Sequence, residues 1–223
     1  LLLASAMFIS AVSCSSKEDE HHDHQLVSSP DEGVNVNEED LEYGATMVSL
    51  RPDTDENVKV EIEFDRRYFN MENENDYPEI YLISNYIEAV NNKNGDIMQD
   101  IFYLPYLNYN CGKNGFSSIQ EYTDSVYEGL KSSIGSDFVL DYVIVDTCLN
   151  ENEDDSITNF SAIDNQLDMI SGEKLSSKVT SRKAVYLDIM YTDESGSEKQ
   201  LNNAIGYDIS LYIYQIDGNY YLI

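Results

Sequence analysis

The sequence predicts an α+β protein in which helices pack on a curved antiparallel sheet, preceded by a β-ribbon and a disordered polar tether. Three observations predict it. Residues 58–65 (VKVEIEFD) alternate apolar with polar side chains, the period of a half-buried strand with one wet face. Ile80, Ile83, Ile87 and Val90 recur at three-four spacing, the period of an amphipathic helix. Residues 137–147 (DFVLDYVIVDT) and 205–216 are long runs rich in Val, Ile and Tyr, residue types that fit a pleated surface.

Taken in order, residues 1–12 (LLLASAMFISAV) carry no charge. They fall short of the ~20 apolar residues that cross a bilayer and have the texture of the apolar core of a secretory signal. The chain opens on Leu1 with no basic segment before the apolar run, so the leader is expected to start further upstream. Ala11-Val12-Ser13-Cys14 comes next, followed by Ser15 and Ser16. This resembles a bacterial lipobox: small residues up to a cut, then the Cys that receives the lipid. Ala11 departs from the large aliphatic residue the pattern favours. The resemblance implies a lipoprotein signal peptide at 1–13, a palmitate-bearing anchor on Cys14, and residence on the outer face of the bacterial cytoplasmic membrane. An ordinary signal peptide with an incidental Cys14 is the alternative.

Residues 14–42 are polar and acidic, and too poor in large apolar groups to offset their ordering entropy; a flexible tether is expected. It holds all three histidines of the chain, His21, His22 and His24. Imidazoles beside carboxylates are competent transition-metal ligands, but a site needs fixed ligand geometry. A solvated spacer is the simpler reading, with opportunistic metal capture the other.

Residues 43–76 are read as an N-terminal β-ribbon: a strand at 46–50, a turn at Arg51-Pro52-Asp53, and the alternating strand at 58–65 with Lys59, Glu61, Glu63 and Asp65 on its wet face. A two-stranded ribbon is marginal alone, so it is expected to dock on the main domain, residues 77–223. There Pro78 suits a first helical position, and Gly95 is expected to end the turn after the first helix. Asp96 is read as the cap of a short second helix that Pro105 stops. A third helix opens at Ser117 or Ser118, each with Gln120 or Glu121 three residues on, a capping-box spacing. After the strand at 137–147 comes an inserted helix at 161–171. A strand at 183–192 follows, with Val185, Leu187, Ile189 and Tyr191 inward. Asp217-Gly218 then joins the strand at 205–216 to a returning one at 219–223, since such a dipeptide favours a tight hairpin.

Thirteen basic against 42 acidic residues leave a net charge of −29 over 223 residues. Nucleic-acid affinity comes from Lys and Arg displacing counterions, so a nucleic-acid partner is excluded. Cys111 and Cys148 remain once Cys14 is assigned to lipid; outside the cell they are permitted to form a disulfide, and two buried thiols are the alternative.

The helix and its trailing turn, Tyr86-Ile87-Glu88-Ala89-Val90-Asn91-Asn92-Lys93-Asn94-Gly95-Asp96, lead the domain. Its ending is Tyr214-Gln215-Ile216-Asp217-Gly218-Asn219-Tyr220-Tyr221-Leu222-Ile223. Together these resemble the nuclear transport factor 2-like (cystatin-like) cone over residues 78–223. The texture of the whole chain also resembles lipoproteins of clostridia-type bacteria. The resemblance implies a curved sheet wrapped around helices, with a mouth that holds a small ligand or a sheet face that dimerises. It transfers no functional residue, because the superfamily shares no catalytic motif.

Enzymes of that shape that move protons use a carboxyl in an apolar pocket beside phenols. The candidates by type are Asp188 with Tyr186 and Tyr142, and after them Asp141, Asp208, Tyr207 and Tyr212. The other reading has the acids in solvent and the tyrosines packing. Residues 150–156 (NENEDDS) are rich in oxygen ligands but lack the spacing of a calcium loop. No His lies beyond the tether, which excludes Ser-His-Asp and Cys-His chemistry from the domain. The expectation is a non-catalytic binding or assembly module without cofactor or metal, its ligand a cell-envelope component, peptide or carbohydrate. A proton-transfer enzyme in the cone pocket and a homodimer through the sheet face are the alternatives.

Overall fold

The computed structural model describes residues 43–69, 76–150 and 154–223. They form a mixed seven-stranded sheet and six α-helices. The strands are β1 (Met47–Leu50), β2 (Glu61–Asp65), β3 (Phe138–Asn150), β4 (Val179–Asp193), β5 (Glu198–Gln200), β6 (Ile209–Ile216) and β7 (Asn219–Leu222). Their spatial order is β1-β2-β3-β4-β6-β7, with β5 on the free stretch of β4 beside Met190–Thr192. The helices are α1 (Pro78–Asn91), α2 (Gly95–Ile101), α3 (Leu104–Lys113), α4 (Ile119–Ile134), α5 (Asp154–Ser171) and α6 (Leu201–Ile205).

The sheet is not wholly antiparallel, as the sequence had suggested. β2 runs parallel to β3, with Glu61, Ile62 and Glu63 opposite Tyr142, Val143 and Ile144. Parallel neighbours need a long crossover, and the four helices between these two strands supply it. The first two strands are therefore the edge of the one sheet. Val58, Val60, Ile62 and Phe64 are all buried in the main core, although the chain is in strand conformation only from Glu61. Asp65 is the exception to the expected wet face. It is 2% exposed, because its carboxylate accepts hydrogen bonds from the Arg67 backbone N–H and guanidinium.

Helices α1, α2 and α4 cover one face of the sheet, packing Ile80, Ile83, Ile87, Met98, Val126 and Leu130 on Val143, Leu187, Ile189 and Ile213. Pro78 sits in the first turn of α1 as expected. At the other end, Asn91 bonds to the backbone of β3 where β2 does not reach: its Nδ2 donates to Leu140 O at 2.8 Å and its Oδ1 accepts from Leu140 N at 2.9 Å. Gly95 opens α2 and does not close α1. Asn94 is the cap, accepting from the backbone N–H of Asp96 and Ile97. A Cβ on Gly95 would lie 2.8 Å from Gln120 Oε1 and 2.9 Å from Gln120 Cα, so glycine is required where α2 crosses α4. The Gln120 side chain then accepts from Gly95 N at 3.0 Å. The start of α4 follows the capping-box spacing: Ser118 Oγ accepts from Glu121 N, and the Glu121 carboxylate accepts from Ser117 N.

Pro105, expected only to stop the second helix, instead begins helix α3. It stands in the first turn, where a missing N–H costs nothing. The helix wraps the β7 edge, its preceding Tyr103 N donating to Leu222 O at 2.9 Å and the Tyr103 ring meeting Tyr221 edge-on. It thereby links the inner layer to a second cluster on the outer face, where α5 sets Phe160 and Leu167 on Ala184, Tyr212 and Tyr214. Asn110 of α3 receives the Gln166 amide of α5 at 3.0 Å. The strand expected from residue 205 begins only at Ile209, because residues 201–205 form α6 and Gly206 (φ 81°) ends it. The final hairpin turns through Asp217 (φ 50°) and Gly218 (φ 84°), the left-handed pair a two-residue turn demands.

Candidate binding face

Alternation along the strands sorts the sheet into two faces. On β4, Val185, Leu187, Ile189 and Tyr191 point into the main core and are 3% exposed or less, while Tyr186, Asp188 and Met190 are half-buried on the opposite, outer face. On β3, the core takes Val143 and Val145 and the outer face takes Tyr142 and Ile144. Two irregularities, at Leu140/Tyr142 and Val145/Thr147, insert extra residues without losing this sorting.

Pairing then assembles rows across the outer face. Glu63 of β2 lies beside Ile144, which lies beside Asp188. The next row joins Glu61, Tyr142, Met190 and Gln200. On the other side, Thr147 pairs Tyr186, and Tyr186 pairs Ser210. The helix α5 packs beyond this last row, against Ala184 and Tyr212. The three pocket candidates, Asp188, Tyr186 and Tyr142, thus stand half-buried within adjoining rows of one sheet face.

Asp188 sits where the partner of β4 changes from β6 to β5. Its Oδ1 accepts from Gln200 Nε2 at 3.0 Å and Asn202 Nδ2 at 3.1 Å, and the same Asn202 amide reaches Leu187 O. Burial pushes the Asp188 carboxyl up, and the charges of Asp146 and Asp208 push it the same way, against the Gln200 hydrogen bond. Burial likewise raises the Tyr142 phenol, helped by its hydrogen bond to the Glu63 carboxylate and by the charge of Glu61. Burial is the larger cause of both shifts, and neighbouring carboxylates add to it. Glu61 is matched by Arg51 Nε at 2.8 Å, and Asp65 at the end of the same strand by Arg67.

A raised carboxyl pKa means the folded state binds the proton more tightly than the unfolded chain does. Ionisation of Asp188 therefore opposes folding above its folded pKa, and stability from this group rises as the pH falls through it. Asp188→Asn, which keeps the acceptor for Gln200 and Asn202, is expected to stabilise the protein at pH 7. Urea unfolding at pH 7 and at pH 3 checks it, the gain shrinking at the lower pH.

The cavity between the helices and the β7 edge has a volume of about 20 Å³ and is lined by Phe102, Tyr106, Leu107, Asn110, Tyr122 and Ile223. That is room for about one water. It contains phenols and an amide but none of the acids proposed for proton transfer. Around it, burial raises the Tyr122 and Tyr106 phenols and the Cys111 thiol, and pushes neighbouring Tyr86 up to about 12.

Cys111 on α3 and Cys148 on β3 are both buried in the main core as thiols and not as a disulfide. Each is held by its own element's packing, Cys111 on the inner side of α3 and Cys148 opposite Val185. Cys14, His21, His22 and His24 lie outside the described residues, as do residues 151–153 of the acidic run. Among the described residues no group of three or more His, Cys, Asp or Glu side chains is placed to hold a metal ion, and no helix is long and apolar enough to cross a membrane.

The sheet face was not foreseen as a unit. The alternation of β4 was visible, but the parallel pairing that brings Glu61 and Glu63 beside Tyr142 has no local signal. Comparison with protein-family models, with curated proteins and with solved structures finds no match to this chain.

Proposed function

We propose that the protein is exported and lipid-anchored through Cys14, and that its α+β domain is a non-catalytic binding or assembly module displayed on the outer face of a bacterial cytoplasmic membrane. The observation that carries the anchor is the uncharged run 1–12 leading into Ala11-Val12-Ser13-Cys14, with a switch to polar residues directly after it. Support for a binding role comes from the domain: its tyrosines and half-buried Asp188 are presented together on a sheet face. We also read the fold as a variant of the cystatin-like cone. Helices on the inner face and the Tyr-rich closing hairpin support that reading; the parallel β2–β3 pair and α5 on the outer face are departures from it.

The anchor is tested by growing a lipoprotein-processing bacterial host, expressing the chain behind an intact leader, in radiolabelled palmitate. The label is expected on the protein and absent from the Cys14→Ala variant. Equal labelling of both, or of neither, overturns the proposal.

A further inference from the structure

We infer that the outer face of the sheet between the β1–β2 edge and α5 docks a cationic, partly apolar polypeptide segment, which makes the partner of the proposed binding module a basic one. The surface consists of Tyr142, Ile144, Tyr186 and Met190 flanked by the carboxylates of Glu63 and Asp188, all half-buried and arranged in register across β2, β3 and β4.

Charge selects the occupant. The strand segments that build the face, 61–65, 142–147 and 186–190, contain no Lys or Arg. Elsewhere in the domain, four lysines are paired with acids of their own neighbourhood: Lys93 with Glu128, Lys131 with Asp137, Lys178 with Glu173 and Lys199 with Asp193. Arg51 and Arg67, which border the face, are held by Glu61 and Asp65. Glu63 accepts from the Tyr142 phenol and Asp188 from the Gln200 and Asn202 amides, so the donors they meet are neutral, and the charges of Asp146 and Asp208 add to the field at Asp188.

A second copy of the chain, at net charge −29, would bring the same sign of charge to this face. So would the chain's own residues 15–42, in which Lys17 is the sole cation. A Lys or Arg side chain laid across the row Glu63–Ile144–Asp188 instead meets a carboxylate at each end and apolar surface between them, which suits a long aliphatic stem with a charged tip. Tyr142 and Tyr186 supply rigid amphipathic area at low entropic cost, the quality that places Tyr at the centre of interfaces.

The test uses the full processed protein and a synthetic peptide alternating lysine with leucine, with its glutamate–leucine counterpart as the control probe. Glu63→Gln with Asp188→Asn is expected to weaken the lysine peptide by about tenfold, and Tyr142→Ser by a similar factor, as truncation of a central contact does. The exposed pair Glu56→Gln with Asp100→Asn removes the same charge from other surfaces and is expected to change binding by less than about twofold. Circular dichroism melts establish that each variant is folded.

Three results overturn the inference. One is no binding of the lysine peptide, or equal loss in both charge pairs, which would mark it as attraction to net charge. Another is concentration-dependent dimerisation in sedimentation that Tyr142→Ser abolishes, which assigns the face to a second copy. The third is retention on an uncharged glucan that depends on Tyr142 but not on Glu63 or Asp188. None of these outcomes alters palmitate labelling at Cys14, so failure of the docking face and failure of the anchor are separable.

Discussion

Lys183→Met is expected to lower the free energy of unfolding by about 3–5 kcal/mol, because it strands a carboxylate in the core. Lys183 enters the inner face of the sheet from β4, and its Nζ lies 2.7 Å and 2.8 Å from the two carboxylate oxygens of Glu79. Glu79 is fully buried in the first turn of α1 and the Lys183 side chain is 6% exposed. The Phe69 ring closes the site, 5.2 Å from Nζ. Neither ion has solvent to fall back on, so loss of one leaves the full desolvation cost of the other, softened only by what the N-terminal dipole of α1 returns to Glu79. The pair itself is worth far less than either single loss suggests. Replacing both ions by apolar residues, Glu79→Leu with Lys183→Met, is expected to restore most of the stability. Urea titrations of the two single variants and the double variant measure this directly. Single losses below about 1 kcal/mol would mean the site admits water.

The second large effect lies next to the first, across the Phe69 ring. Phe64→Ala is expected to cost about 3–5 kcal/mol, the range for deleting a fully buried ring. Phe64 is 0% exposed. Its ring meets Phe69 at 5.4 Å and Tyr77 at 4.8 Å, both edge-on, a geometry that adds to simple area burial. The prediction separates two pictures of the first two strands. If they were a ribbon docked on a finished domain, the substitution would free the ribbon and leave the main transition nearly in place. As the parallel edge of the sheet, they unfold with it. The expected result in thermal and urea unfolding is a single transition shifted to lower stability; two transitions would contradict the parallel pairing of β2 with β3.

Legibility in the sequence followed the range of the forces involved. Periodicity is local, so the face of β4, the apolar side of α1, the capping box at Ser118 and the Asp217-Gly218 turn could all be read from neighbours in the chain. Helix α3 was missed for a local reason as well. Pro105 was taken as a terminator, yet Tyr106, Leu107, Asn110 and Cys111 recur behind it at helical spacing, the signature of a proline that starts a helix. Gly95 illustrates the opposite limit. Its requirement comes from the crossing of α2 and α4, through Gln120 twenty-five residues on, and nothing near Gly95 announces it. The same holds for the sheet face. Asp188, Tyr186 and Tyr142 are pocket candidates by residue type; long-range pairing sets them in adjoining rows of one sheet face and supplies Glu63 as their neighbour. Asp65 was assigned to solvent by alternation, but two arginines follow directly, and the Arg67 guanidinium claims it.

The buried Glu79–Lys183 pair had no sequence signal: 104 residues separate its members. It joins the start of the helical layer to the middle of the sheet and so specifies how α1 seats on β4. That makes the outer face a rigid platform, with strands fixed from beneath by α1, α2 and α4 and from one side by α5. Rigid scaffolds of this kind carry binding surfaces with little entropy lost on association.

Display of the domain outside the cell is open to direct measurement. Intact bacteria carrying the full chain behind a complete leader can be treated with a membrane-impermeant, amine-reactive biotin label, for which the exposed side chains of Lys93, Lys131 and Lys199 are targets. Labelling equal to that of lysed cells, with the labelled protein partitioning into the detergent phase unless Cys14 is replaced, is the predicted result. Labelling that appears only after lysis would place the domain inside the cell and contradict it.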